Sequence, residues 1–219
     1  MEDFDRHPEL ELRPRPQKGR GAAGNIDHRF TRTRRPAEDD GWDPPEPESL
    51  RTQLLVDSAK SIVSRNESPD LGFDQSINVY RGCEHGCVYC YARPTHAWLG
   101  LSPGLDFETR IFHKPQAAKL LRQELARPGY VCSPMALGTA TDAYQPFERK
   151  LGLTRAILEV LLETGHPVSV VTKSALITRD LDLWRELARR HLAEVAISLT
   201  TLDSELSRRL EPRASAPAA

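Results

Sequence analysis

Between residues 75 and 210 the chain alternates short, nearly continuous apolar runs with amphipathic stretches, at a spacing of about 30 residues. That alternation restricts the fold more than any other feature. The runs lie at 75–80, 130–137, Val168–Thr172 and 195–199, and the helical patterns at 114–126, 151–164, 180–191 and Ser204–Leu210. Strands that are apolar on both faces belong in a parallel sheet covered on both sides. Strand–helix–strand units joined in series build such a sheet. Gln53–Val56 and 61–64 read as shorter leading strands. The punctuation agrees with these bounds. Pro115 sits where a first turn tolerates it, Pro128-Gly129 and Gly165 with Pro167 stop two helices, and Thr178 is placed to cap the third. The expected class is therefore α/β, a partial (β/α) barrel. With 219 residues the chain is too short for eight units, and the count of about four units leaves it truncated as a barrel.

The first 48 residues lack this periodicity. They are rich in Pro, Arg, Asp and Glu and read as a disordered charged leader, 1–48, ahead of a core domain at 49–219. Arg13, Arg15, Lys18, Arg20, Arg29, Arg32, Arg34 and Arg35 form a basic block containing one acid, Asp27. Two readings stay open for it: a self-neutralising solvated tail, or an arm that contacts nucleic acid. Over the whole chain 30 basic residues face 31 acidic ones, so net charge favours neither nucleic acid nor membrane. No apolar run reaches the roughly 18 residues a membrane span needs. With an acidic N-terminus and no signal-like apolar segment, the expectation is a cytoplasmic protein without a membrane partner.

Three of the four cysteines lie within eight residues, Cys83-Glu84-His85-Gly86-Cys87-Val88-Tyr89-Cys90. Three thiols cannot all pair with one another as disulfides. Clustered thiolates select soft metals, zinc or iron–sulfur clusters among them. An iron–sulfur cubane held by three protein thiolates leaves one iron open to another ligand. A zinc-binding nucleic-acid module that adds His85 or His96 as fourth ligand is the competing reading. The loop directly follows a strand, where parallel α/β folds place their working residues.

Cys83, Cys87 and Cys90, with Tyr89 in the aromatic slot, resemble the C-x3-C-x-aromatic-C signature of the radical S-adenosylmethionine (SAM) superfamily. The longer string from Arg81 to His96 is similar to its spore photoproduct lyase-like branch. The resemblance covers about residues 50 to 212. It implies a partial barrel of the radical SAM type, one [4Fe-4S] cluster on the three cysteines, and SAM on the open iron. It also implies reductive cleavage of SAM to a 5′-deoxyadenosyl radical that abstracts hydrogen from a substrate. An electron donor of flavodoxin or ferredoxin type is the implied partner, and nucleic acid a further one. A catalytically incomplete fragment of such a protein is the third reading.

The same resemblance picks out SAM contacts at strand ends. Thr139, Thr141 and Asp142, in Gly138-Thr139-Ala140-Thr141-Asp142, lie where relatives bind the SAM amino group, and a carboxylate with two hydroxyls can accept its hydrogen bonds. Lys173 is similar to a lysine that relatives place on the SAM carboxylate, and Ser198 matches a position lining the SAM site. Tyr91, Arg93 and His96 just past the loop, and Tyr144, Gln145 and Glu148 after the second long run, are further candidates facing SAM or substrate. One departure stands out. Photoproduct lyases carry a hydrogen-donating cysteine near the end of the second strand, where this chain has none, so thymine-dimer repair by that route is not expected. Cys132, at the opposite end of that run, reads as a buried core thiol.

Overall fold

The computed structural model describes residues 17–31 and 50–218. The chain forms a mixed α/β fold with two sheets. Its strands are β1 (Gln53–Val56), β2 (Val63–Arg65), β3 (Gln75–Ile77), β4 (Tyr80–Arg81), β5 (Arg110–His113), β6 (Met135–Leu137), β7 (Val168–Thr172) and β8 (Ala193–Ile197). The helices are α1 (Leu105–Thr109), α2 (Ala117–Leu125), α3 (Glu148–Leu151), α4 (Leu153–Thr164), α5 (Leu181–Arg189) and α6 (Ser204–Leu210), with 3-10 turns at Arg93–Leu99 and Ala175–Asp180. The larger sheet runs β2-β3-β6-β7-β8, parallel from β3 onward, with β2 antiparallel at one edge. The smaller sheet, β1-β5-β4, stands beside the cysteine loop.

The core forms because the helices turn one apolar stripe onto the sheet. From α4, Ile157, Leu158 and Leu161 are fully buried, and from α5, Leu183, Trp184 and Leu187 join them. β3 and β6 are buried along their whole length, as strands covered on both faces must be. Among the described residues no helix is long and apolar enough to cross a membrane.

Several expected elements come out differently. The run 75–80 is broken: Asn78 leaves the ladder, with its side-chain amide donating to Thr139 Oγ1 at 3.0 Å and its carbonyl accepting from Lys114 Nζ at 2.5 Å. Tyr80 and Arg81 then pair with β5 in the other sheet. Of the run 130–137 only Met135–Leu137 is strand: the Tyr130 N–H closes a turn on Arg127 O at 3.1 Å, and the Gln75 side-chain amide donates to Val131 O at 3.0 Å. Cys132 lies in the irregular part and is exposed, not a core thiol. The side-chain cap lies on the 3-10 turn Ala175–Asp180, and α5 starts after Asp180 without one. Ser174 Oγ accepts the Leu176 N–H at 3.2 Å, whereas the Thr178 hydroxyl turns back onto Ala175 O. The unit α1–β5 was not expected at all. Of the charged leader, residues 17–31 lie against the core, with Leu105 N–H donating to Gly24 O at 3.2 Å, and residues 1–16 and 32–49 fall outside the described residues.

Candidate metal and cofactor site

The parallel strands β3, β6, β7 and β8 all end on one edge of the sheet. The residues that follow them are therefore neighbours: Asn78 bonds Thr139, and Lys173 Nζ donates to Ser198 Oγ at 2.7 Å. The cysteine loop leaves β4 and folds over this edge. Cys83 and Cys87 are buried and Cys90 is partly so, and all four cysteines are free. Gly86 makes the loop's tight reversal with φ +68°, and a Cβ there would meet Glu108 Oε2 at 2.8 Å.

The thiols sit in an environment that resists bare thiolate. Burial, then the neighbouring Cys83 and Glu211, push the Cys87 thiol up to about 12, and burial raises Cys90 as well. Deprotonation at such a site wants a bound cation, and thiolate ligands are deprotonated when they take a metal. Three soft donors on one loop suit a cubane that spreads its thiolates over separate irons. Among the described residues no three His, Cys, Asp or Glu side chains converge on a position for a single metal ion.

Asp142 is the hub between the loop and the sheet. Its carboxylate lies 3.3 Å from His85 Nδ1 and accepts from the Thr172 hydroxyl at 2.7 Å, Lys173 N–H at 2.9 Å and Tyr144 N–H at 2.8 Å. Burial alone would raise its pKa, but His85 foremost, with those donors, holds it below the usual carboxylate range. Burial would likewise lower His85, yet Cys83 and Asp142 hold it up at about 10. Thr141 is buried, its hydroxyl donating to Gly82 O at 2.6 Å. Thr139 receives Asn78 on its hydroxyl and the Tyr91 hydroxyl on its carbonyl. Asp142 and Thr141 thus hold the loop, while Thr139 stands at the rim.

Lys173, Ser198 and Tyr89 form a second group over the loop. Lys173 Nζ lies 5.6 Å from the centre of the Tyr89 ring, 3.1 Å from Thr200 Oγ1 and 2.8 Å from Glu211 Oε1. The Tyr89 hydroxyl also donates to Glu211. Burial, the largest influence, would raise Glu211, but the hydrogen bonds from Lys173, Thr200 and Tyr89 together with the Lys173 charge hold it below the usual carboxylate range.

The remaining sequence candidates are mostly interior. Tyr144 is fully buried and takes a hydrogen bond from Trp184 Nε1 at 2.8 Å. Glu148 is buried among the Tyr80 hydroxyl at 2.6 Å, Arg179 at 2.8 Å and Thr154 N–H at 3.1 Å. Gln145 lies beneath the loop, bonding Glu84 N–H and Gly82 O. All three are fully buried and support the site from inside. His96 is a core histidine against Phe107, its Nε2 on Arg110 O at 3.0 Å, and burial lowers its pKa. Tyr91, 80% exposed, is the candidate that stands open to solvent.

Three acids that sequence reasoning missed, and the segment 210–213, complete the site. Glu84 accepts from the Thr52 hydroxyl at 2.6 Å and from Arg213 at 2.8 Å. Glu211 sits on Lys173, and Glu108 lies behind the loop. Single acids carry no spacing signal. Residues 210–213 cross the loop through Val88 N–H to Leu210 O and Arg213 N–H to His85 O.

Comparison with known proteins agrees with this geometry. The model of the "Radical SAM superfamily" matches residues 77–218. An uncharacterised protein of Mycobacterium tuberculosis is 44% identical over 149 residues, covering 68% of this chain and 44% of that protein. One from Methanocaldococcus jannaschii is 26% identical over 162 residues, covering 74% and 57%. The chain thus spans about half the length of the curated relatives it matches. Among solved structures, spore photoproduct lyase is similar at TM-score 0.52 and 17% identity, over 79% of this chain and 48% of that one. A complex of that enzyme with dinucleoside spore photoproduct matches at TM-score 0.52 and 16% identity, over the same shares of the two chains. The family match over most of the chain, on a loop whose three thiols sit over the ends of parallel strands, places the chain in the radical SAM superfamily.

Proposed function

We propose that this chain carries the cluster- and SAM-binding half of a radical SAM enzyme, with a [4Fe-4S] cluster on Cys83, Cys87 and Cys90. The observation that carries the reading is the grouping of three free thiols with Lys173 at one edge of a parallel sheet. Bound there, the cluster and SAM would supply reductive cleavage of SAM and a 5′-deoxyadenosyl radical for hydrogen abstraction. The protein's own residues bind and orient. Lys173 offers a point cation for a carboxylate, seated by Ser198 and Thr200. Thr139 presents a hydroxyl at the rim, and Tyr89 covers the group from the loop side. Asp142 and Thr141 fix the loop on the sheet.

The four parallel strands fit a partial (β/α) barrel of the radical SAM type. β8 is largely exposed at the sheet's edge among the described residues, including Val195 and Ile197. Four free thiols suit a reducing cytoplasm, and the proposed reductive step calls for an electron donor of flavodoxin or ferredoxin type. Anaerobic reconstitution should give a brown protein with about four irons per chain, as a cubane requires. With dithionite it should release 5′-deoxyadenosine from SAM. A colourless protein holding one zinc, or no 5′-deoxyadenosine, would sink the reading.

Nucleic acid is the substrate class we propose. One solved structure of similar fold is a spore photoproduct lyase complexed with dinucleoside spore photoproduct. In this chain Arg29 stacks 4.4 Å over the ring of Trp98, itself 68% exposed, beside Phe30. Arginine and exposed aromatics are the means by which single strands are held without sequence preference. Binding of single-stranded oligonucleotides should fall steeply with added salt and weaken in Trp98→Ala. Salt-independent binding, or none, would remove nucleic acid from the proposal.

A further inference from the structure

We propose that residues 17–26 are a strap that positions the cysteine loop, with Gly21 and Glu108 as its positioning residues; this deepens the metal-site reading above and rests on it. Glu108 is fully buried. Its carboxylate accepts Gly21 N–H at 3.0 Å, Ala22 N–H at 2.9 Å and the Arg93 guanidinium at 2.6 Å. A buried carboxylate stripped of such donors is strongly unfavourable, so strap and acid hold each other. Arg93 passes the hold to the loop, donating to Cys87 O from Nε at 3.1 Å and from a terminal nitrogen at 2.9 Å.

Packing reinforces the hydrogen bonds. A Cβ on Gly21 would lie 1.8 Å from Gly86 O, so the strap can approach the loop there only as glycine. On either side of that contact the strap is pinned again. The Arg20 guanidinium donates to Glu108 O at 2.9 Å and to Thr52 Oγ1 at 2.8 Å. Ile26 exchanges two bonds of 2.8 Å with Ser102 Oγ. The run Gly19-Arg20-Gly21-Ala22-Ala23-Gly24 is thus fitted against the loop at Gly86 and, through Glu108 and Arg93, holds the Cys87 carbonyl. It fixes the spacing of the thiolates.

The test uses the full chain. Gly21→Val and Glu108→Gln are compared with wild type and with Leu120→Ala, whose side chain packs against the main core on α2, away from the strap. After anaerobic reconstitution, iron release to a ferrous chelator is timed and the electron paramagnetic resonance of the reduced cluster recorded. Amide hydrogen exchange over residues 83–90 is measured on the metal-free protein. Both strap variants should release iron at least tenfold faster, show an altered resonance, and exchange the loop amides faster. Leu120→Ala should lower the melting temperature and leave all three unchanged. Wild-type release and exchange in the strap variants would overturn the proposal, as would equal acceleration in Leu120→Ala. If wild type takes up no iron, the metal-site reading fails, and the exchange result still decides whether the strap holds the loop.

Discussion

Replacing any one of Cys83, Cys87 or Cys90 with alanine should abolish the iron–sulfur absorbance of the reconstituted protein, and Cys132→Ala should leave it intact. The warrant is ligand count. One missing thiolate exposes a second iron of a cubane that already has one open, and such clusters are held by cysteine thiolates. Position supports the contrast. Cys83 and Cys87 are buried in the loop over the sheet edge, while Cys132 is exposed in the irregular segment before β6. Ultraviolet–visible spectra and iron content on the four variants suffice. A Cys132 variant without a cluster, or a loop variant with one, would show the ligand set to be wrong.

Lys173→Ala should weaken SAM binding at least tenfold while iron content stays at the wild-type level. Truncating one partner of a desolvated charge pair costs about 2–5 kcal/mol, much of it from the charge left behind. That pair would be Lys173 with the SAM carboxylate, and the lysine also neutralises Glu211, 2.8 Å from the ammonium and only 5% exposed. Without the lysine, the Glu211 carboxylate would repel the carboxylate of an incoming amino acid group. Lys173→Ala combined with Glu211→Gln should therefore bind SAM more tightly than Lys173→Ala alone. Calorimetry on the reconstituted variants reads both effects. Equal SAM affinity in wild type and Lys173→Ala would remove the lysine from the site.

What could be read in the sequence was what repeats or clusters. β7 lies at the expected residues, and α6 at Ser204–Leu210, because continuous apolar runs and helical stripes are local patterns. The cysteine loop was legible for the same reason. The break at Asn78 was not, because it depends on Thr139 and Lys114, brought there by tertiary folding. β5 escaped because four residues gain strand identity only from pairing with β1 and β4. Asp142 was expected at the site, but its partners His85, Thr172, Lys173 and Tyr144 were not, because spacing alone cannot say which donors a carboxylate will find. The strap did leave a trace, a dense run of glycine and alanine inside an otherwise charged leader.

The cysteine loop is gripped from both sides by parts of the chain that lie far apart in sequence. Gly21 and Ala22 reach it through Glu108 and Arg93, and Leu210 and Arg213 bond its backbone directly. Contacts of such long range form late, since the chain must close large loops before they contribute. During synthesis the thiols would stay accessible until residues through 213 have left the ribosome. A metal centre held by this loop would then assemble only after those contacts close, and a chain stalled before residue 213 would present three thiols to the cell.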